Sequence, residues 1–169
     1  MKTHNAFDPL NLSEVRDFVV VPEYLQNHYA RTVEKVYDDH STKLRDAVAY
    51  YMLTYTDTDT LRSPELLFVY SAELDLGFWI PSKQVNYRVE VPSNGYQNPD
   101  MDAASLGMAT TLLVVNHFGW MLAEDAEPDS KRYHAAQQMS DLFLSLRDWA
   151  FDLSEQGLLD GEAIAGFID

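Results

Sequence analysis

Cysteine is absent from the 169 residues, and basic residues are scarce. Without cysteine the chain cannot form disulfides, thiolate zinc sites or a cysteine nucleophile. Lys and Arg number 12 against 27 Asp and Glu, so the formal net charge is −15. Because affinity for phosphates comes from clustered Lys and Arg, we expect no direct binding to nucleic acid.

Sequence motifs for catalysis are also missing. The chain has no Gly-rich phosphate loop, no HExxH pair and no GxSxG nucleophile elbow. Acidic residues are abundant, but no spacing marks two of them as a general acid and base. We therefore expect no catalytic centre, no metal and no cofactor.

Long apolar runs are missing as well. The most apolar stretch, residues 106–122, is interrupted by Thr110-Thr111 and Asn116-His117, which argues against a membrane span. The amino-terminal residues 1–15 lack the apolar region of a signal peptide, so we expect a cytoplasmic protein that does not bind membranes.

The acidic charge is concentrated in the second part of the chain. From Gln97 onward there are thirteen acidic residues and three basic ones. Such a field could attract a basic partner or mimic DNA. It could equally serve solubility alone, and composition does not separate these readings.

One helix is predicted to organise the domain. Asp102 is a suitable N-cap, and the apolar residues that follow recur at spacings of three and four: Met108, Leu112, Val115, Phe118 and Leu122. Leu106, Leu113, Trp120 and Met121 widen this surface beyond one stripe. A helix that is apolar over most of its circumference is normally buried, so we predict a central core helix.

The remaining pattern predicts a single α+β domain spanning residues 1–169. Residues 1–12 are expected to be an irregular arm, and 18–21 a strand or extended lead-in. Predicted helices begin at Pro22, at Ser41 or Thr42, before Met139 (ending at Gly157) and at Asp160. Predicted strands cover 66–70, 78–80 and 87–91. We expect a small three-stranded antiparallel β-meander packed against a bundle of about five helices around the central buried helix.

Two exposed segments are candidates for binding a partner. The first is an acidic loop before the penultimate helix: Glu124, Asp125, Glu127 and Asp129 flank Pro128. These acids could instead cap the helix at Asp129 and solvate the loop. The second segment is the turn formed by Ser93, Asn94, Gly95 and Tyr96.

An enzyme remains the alternative class. It would need a small-molecule pocket between the sheet and the core helix, with His117 and neighbouring acids as its polar groups. A histidine bonded to backbone is the commoner role at such a position. Asp38-Asp39-His40 could hold a cation, though adjacent loop acids are usually only solvated. Trp79, Tyr87, Tyr96 and Trp120 could line a pocket or pack in the core.

Several motifs together resemble a known family. They are GFWIP (77–81), VPSNGY (91–96), MDAASLGMATTLLVVNHFGW (101–120), RYH (132–134) and the closing GFID (166–169). This combination is similar to the ArdB/KlcA antirestriction family over roughly residues 64–169. The turn before the second strand departs from the family's Asn-Gly-Gly-like pattern, since it contains Glu73, Leu74 and Asp75. The family's Ser-Ala-Asp-Ala segment appears here as Met101–Ser105.

The resemblance implies a function that residue patterns alone do not give. Members of this family inhibit type I restriction-modification enzymes and are carried by plasmids or other mobile elements, whose incoming DNA they protect. They are non-catalytic and need no cofactor. The implied partner is a type I restriction-modification complex or an associated host factor, contacted directly or indirectly.

Overall fold

The structure, a computed structural model, describes residues 18–22, 40–56, 65–71 and 73–169. The strands are β1 (Phe18–Pro22), β2 (Leu66–Ser71), β3 (Leu76–Pro81), β4 (Tyr87–Val91) and β5 (Tyr96–Met101). The helices are α1 (Ser41–Tyr55), α2 (Ala103–Ala123), α3 (Lys131–Glu155) and α4 (Gly161–Ile168).

The first three strands form one antiparallel sheet in the order β1-β2-β3. Val20 pairs with Val69, and Phe68 pairs with Trp79. Every residue of β3 is buried. This explains why its sequence is continuously apolar rather than alternating, because both faces of the strand are covered.

The other two strands form a separate antiparallel hairpin. Val91 pairs with Tyr96 across the turn, and an irregularity between Tyr87 and Val89 shifts the register. In β4, Tyr87, Val89 and Val91 are buried while Arg88 and Glu90 are exposed. This alternation is the half-buried pattern that the sequence predicted for the strand.

The predicted arrangement of sheet and helices is therefore wrong. The strand at 87–91 does not extend a meander from β3, since it pairs with β5, and β1 supplies the third strand of the other sheet. The segment that forms β5 was not predicted as a strand, and it contains Asn98-Pro99-Asp100, residue types that favour turns. Proline is compatible with strand pairing at a sheet edge, and among the described strands β5 has β4 as its single neighbour. The described ranges contain four helices rather than about five, and the helix predicted after Pro22 and the arm at 1–12 lie outside them.

Helix α2 is central, as predicted, and Asp102 is its N-cap, accepting a hydrogen bond from the Ser105 N–H at 3.0 Å. All residues from 103 to 112 are buried. By length and hydropathy α2 could cross a membrane, but half of the relevant window is packed inside the protein. It is placed as a core helix.

Close contact between α2 and β3 defines the core. A Cβ added at Gly107 would lie 2.3 Å from the Trp79 carbonyl oxygen, so only glycine fits there. Four residues further along α2, the Thr111 hydroxyl accepts a hydrogen bond from the Trp79 N–H at 3.3 Å. The helix thus lies directly on the strand, without a cavity at this contact.

The amino termini of α2 and α4 meet. Asp160 caps α4 as Asp102 caps α2, and the Asp160 N–H donates to the Ser105 hydroxyl at 2.9 Å. Burial raises the pKa of Asp102, and the nearby Asp160 charge raises it further, while hydrogen bonds from Ser105 act in the opposite direction. This junction fixes the short α4 against the start of the core helix.

Candidate interaction surface

The acidic loop connects the end of α2 to the start of α3. The side chains of Glu124, Asp125, Glu127 and Asp129 are all exposed. Asp125 and Asp129 have positive φ angles of 56° and 60°, a conformation in which Asp and Asn are several-fold enriched. The loop is a series of hydrogen-bonded turns, in which the Ser130 N–H donates to the Glu127 carbonyl at 3.1 Å.

The side chains that satisfy the helix ends at this loop are not those of the four acids; Glu124 contributes only its backbone N–H, which donates to the Trp120 carbonyl at 3.1 Å. Ser130, not Asp129, is the N-cap of α3, and its hydroxyl accepts from the Tyr133 N–H at 3.1 Å. The interpretation that Asp129 caps α3 is therefore wrong. At the end of α2, the Arg132 guanidinium donates to the Met121 and Leu122 carbonyls at 2.6 and 2.9 Å. A cation at this position complements the helix dipole.

The four carboxylates therefore present their charge to solvent. Within the part of the chain that the structure describes, none of them has a side-chain hydrogen bond or an ion pair. Exposed, unpaired charges on an ordered loop are suited to steering a basic partner.

The second predicted segment is engaged inside the molecule. Asn94 donates its side-chain amide to the Gly166 and Phe167 carbonyls of α4 at 3.1 and 3.2 Å, and its side-chain oxygen accepts from the Tyr96 N–H at 2.9 Å. A Cβ at Gly166 would lie 2.3 Å from the Tyr96 ring, so ring and helix are in direct contact. Gly95 has φ +73°, which glycine adopts without strain.

The turn 93–96 thus ties the β4–β5 hairpin to α4. Ser93, Asn94 and Gly95 are exposed, while Tyr96 is half-buried. The Tyr96 hydroxyl accepts from the Asn98 side chain at 3.0 Å. The polar groups of Asn94 and Tyr96 already have partners within the fold.

A groove between α2 and α3 was not predicted from the sequence. It has a volume of about 270 Å³, and its lining includes Val115, Gly119, Trp120, Ala123, Tyr133 and Ala136. Trp120 is 71% exposed. Exposed apolar surface that lines a groove commonly marks an interaction site.

The groove begins where the acidic loop begins. Ala123 lines the groove and ends α2, and Glu124 is the next residue. On the other side Tyr133 lies in the first turn of α3 and receives a hydrogen bond from Gln137 at 3.0 Å. The structure therefore brings the acidic loop and an apolar groove together, whereas the turn 93–96 contacts α4.

One signal in the sequence could have revealed the groove. The second half of α2 carries apolar side chains beyond a single stripe, and among the described helices α1 and α3 pack against it. Trp120 is the largest side chain of this half, and it is exposed.

The residues proposed for the enzyme alternative do not converge. His117 is exposed and faces the Tyr51 ring edge-on at 6.2 Å, and His40 packs on Phe118. Trp79 and Tyr87 are core residues, and Tyr87 donates to the Lys83 carbonyl at 2.7 Å. Asp38 and Asp39 lie outside the described residues. Across 40–56, 65–71 and 73–169, no three acidic or histidine side chains are placed to hold a metal ion.

Comparison with known proteins gives one informative result. No protein-family model matches the chain, and no match was found among curated proteins. Among solved structures, the chain matches one described in these words: the KlcA and ArdB proteins show a novel fold and antirestriction activity against type I DNA restriction systems in vivo but not in vitro. The TM-score is 0.64 at 18% identity, covering 92% of this chain and 98% of that one.

The match establishes the fold of this chain as that of the KlcA and ArdB proteins. It confirms at the level of structure the resemblance noted in the sequence. Because the sequence identity is only 18%, the match shows the fold of this chain. The antirestriction activity is described for the matched protein.

Proposed function

We propose that this chain is an antirestriction protein that inhibits type I restriction-modification enzymes and thereby protects incoming mobile DNA. It acts as a non-catalytic inhibitor in the cytoplasm. Its partner is the type I complex or an associated host factor, engaged directly or indirectly.

The observation that carries this proposal is the fold match over 92% of the chain. Fold alone does not determine function. The proposal is strengthened because the motifs shared with the family occupy connected places in this fold. GFWIP is β3, NHF lies in α2, and the PSNGY turn bonds to the closing GFID segment of α4.

Surface charge supports an inhibitor that works by binding protein rather than DNA. With a net charge of −15, the chain is repelled by phosphates and attracted to basic surfaces such as those of DNA-handling enzymes. The exposed acidic loop concentrates part of this charge at one place.

The decisive experiment must be made in cells, because the matched protein is described as active in vivo but not in vitro. Unmodified phage would be plated on a host with an active type I system, with and without expression of this chain. We expect expression to raise the efficiency of plating towards that of a host lacking the system.

Three controls make the result specific. Phage carrying the host modification should plate equally in both strains, and a type II restricting host should show no relief. Leu112→Asp, which places a charge in the core, serves as an unfolded control. Unchanged plating in several type I hosts, with the wild-type protein soluble and expressed, would contradict the proposed function.

A further inference from the structure

We propose that the α2–α3 groove is a docking site for a basic amphipathic helix of a partner protein. The partner would insert large apolar side chains beside Trp120 and place Lys or Arg residues against the acidic loop. The identity of the complex that carries this helix rests on the proposed function. Binding of a basic amphipathic helix in the groove does not depend on that function.

The shape of the groove favours a helix as the occupant. The groove runs between two helices that are joined by a short loop, and its lining includes the exposed Trp120 and Ala123. Its volume of about 270 Å³ is below the range of about 300–1,000 Å³ typical of small-molecule sites. Apolar grooves between helices commonly take the apolar face of an amphipathic helix.

Trp120 provides the anchor for such a contact. Tryptophan and tyrosine are enriched among the residues that dominate binding energy, and both Trp120 and Tyr133 line the groove. The other two tryptophans, Trp79 and Trp149, are buried in the core. Trp120 is therefore the one exposed tryptophan of the three, and packing in the core does not account for its position.

Charge complementarity identifies the partner as basic. Glu124, Asp125, Glu127 and Asp129 are exposed in the loop that starts directly after Ala123, which lines one end of the groove. The two basic residues nearby are Lys131 and Arg132, and the Arg132 guanidinium is bonded to the carbonyls that end α2. A second copy of this chain is the less suitable occupant, since both copies would bring a net charge of −15 and the same acidic loop.

The test uses the full chain and a synthetic leucine–lysine peptide whose leucines recur at spacings of three and four. Two control peptides are matched to it: one has the same composition in scrambled order, and one has glutamate in place of lysine. Binding is measured by calorimetry at low and high salt. In parallel, the fluorescence of the wild type reports burial of Trp120.

We expect the amphipathic lysine peptide to bind saturably and to shift the tryptophan emission to the blue. Trp120→Ala should weaken binding about tenfold or more, as expected for an aromatic anchor. Ala123→Lys should weaken it by adding a positive charge at the end of the groove beside the acidic loop. The matched control, Met121→Ala, removes a similarly exposed apolar side chain of α2 that does not line the groove, and it should bind as the wild type does.

Three outcomes would overturn the inference. They are the absence of saturable binding, equal binding of the scrambled peptide, and binding that Trp120→Ala and Ala123→Lys leave unchanged in folded protein. A concentration-dependent dimer of the wild type that Trp120→Ala abolishes would assign the groove to a second copy instead.

Plating separates this inference from the proposed function. If the wild type relieves restriction and folded Trp120→Ala relieves it equally, the groove takes no part in antirestriction: the assignment of its helix to the type I complex fails, while the proposed function stands. If the wild type gives no relief but the peptide results hold, the function fails and the docking site stands.

Discussion

Asn94 is the residue through which two distant parts of the chain are joined. Its amide bonds to two carbonyls of α4, and its side-chain oxygen holds the backbone of its own turn. The turn that was predicted from the sequence as a binding surface is therefore also a link between the β4–β5 hairpin and α4.

We predict that Asn94→Ala lowers the free energy of unfolding by about 1–2 kcal/mol, because it leaves the two α4 carbonyls without their donor. Ser93→Ala, an exposed neighbour in the same turn, should change it by less than about 0.5 kcal/mol. Urea denaturation of both variants measures the difference. If Asn94→Ala were as stable as Ser93→Ala, these hydrogen bonds would make no net contribution to the free energy of unfolding.

Asp102 makes the stability of the protein fall as pH rises, whereas a salt-bridged carboxylate makes stability rise with pH. Burial raises its folded-state pKa above the ordinary value of 3.8. A group with a raised folded pKa contributes stability that is full below its unfolded pKa and is lost as pH rises through the folded value. The ionised cap is thus the less stable form of this junction.

We predict that Asp102→Asn becomes more favourable relative to the wild type as pH rises from about 3.8 through the raised pKa of Asp102 towards neutrality. Asparagine caps helices about as well as aspartate, so the cap itself is retained. Chemical denaturation across this pH range gives the difference in unfolding free energy. A difference that is constant with pH would contradict the raised pKa.

Capping residues were partly readable from sequence. Asp102 was predicted as an N-cap and Asp160 as the start of the last helix; in the structure both are N-caps, because each is the capping residue nearest the start of an apolar pattern. At α3, Asp129 and Ser130 are adjacent and both are good caps. The choice of Ser130 depends on the positive φ of Asp129, which only the folded loop reveals.

Helix α2 packs against β3 and against the three other described helices. Its first half is buried among β3, α1, α3 and α4, while its second half carries the exposed Trp120 and Met121. The effect of a charge on α2 should therefore depend on where along the helix it is placed.

We predict that Leu112→Asp abolishes cooperative folding, because an unpaired buried charge costs several kcal/mol against a total stability of roughly 5–15 kcal/mol. Phe118→Asp should cost less, since Phe118 is half-buried. Met121→Asp, at an exposed position of the same helix, should melt close to the wild type. Circular dichroism melting curves distinguish the three. A cooperatively melting Leu112→Asp protein would mean that α2 is not central.

The four described helices and most of the described strands were predicted from the sequence. The way in which the strands pair was not. Period and caps located α2 and α4, and alternation located β4. The pattern gave no sign that residues 18–22 add to β2 or that 96–101 pair with 87–91, because those pairings are decided by contacts outside each segment. Exposure of the groove likewise depends on how far α1 and α3 cover α2.

For the whole molecule, the distribution of charge is the property most directly tied to the proposed function. We predict that a variant with Glu124→Gln, Asp125→Asn, Glu127→Gln and Asp129→Asn loses antirestriction activity but little stability. Exposed charges contribute under about 1 kcal/mol each, and asparagine tolerates the positive φ at 125 and 129. Phage plating and urea denaturation measure the two effects.

A second variant controls for net charge. Neutralising Asp148, Asp152, Glu155 and Glu162, which are exposed on α3 and α4, removes the same charge from another surface. If both variants lose activity equally, total charge rather than the loop matters. If the loop variant stays fully active, the loop has no part in antirestriction.

The pairing of β1 with β2 has a consequence for the order in which the chain assembles. Elements that are neighbours in sequence form the β2–β3 hairpin, the β4–β5 hairpin and the α2–α3 pair. By contrast, Phe18 of β1 pairs with Ser71 of β2, which is far from it in sequence. Closing a long loop costs entropy before any contact is made, and such contacts slow folding. We expect the hairpins to form on the folding core and β1 to add last, so its amides should exchange with solvent deuterium first when the native protein opens.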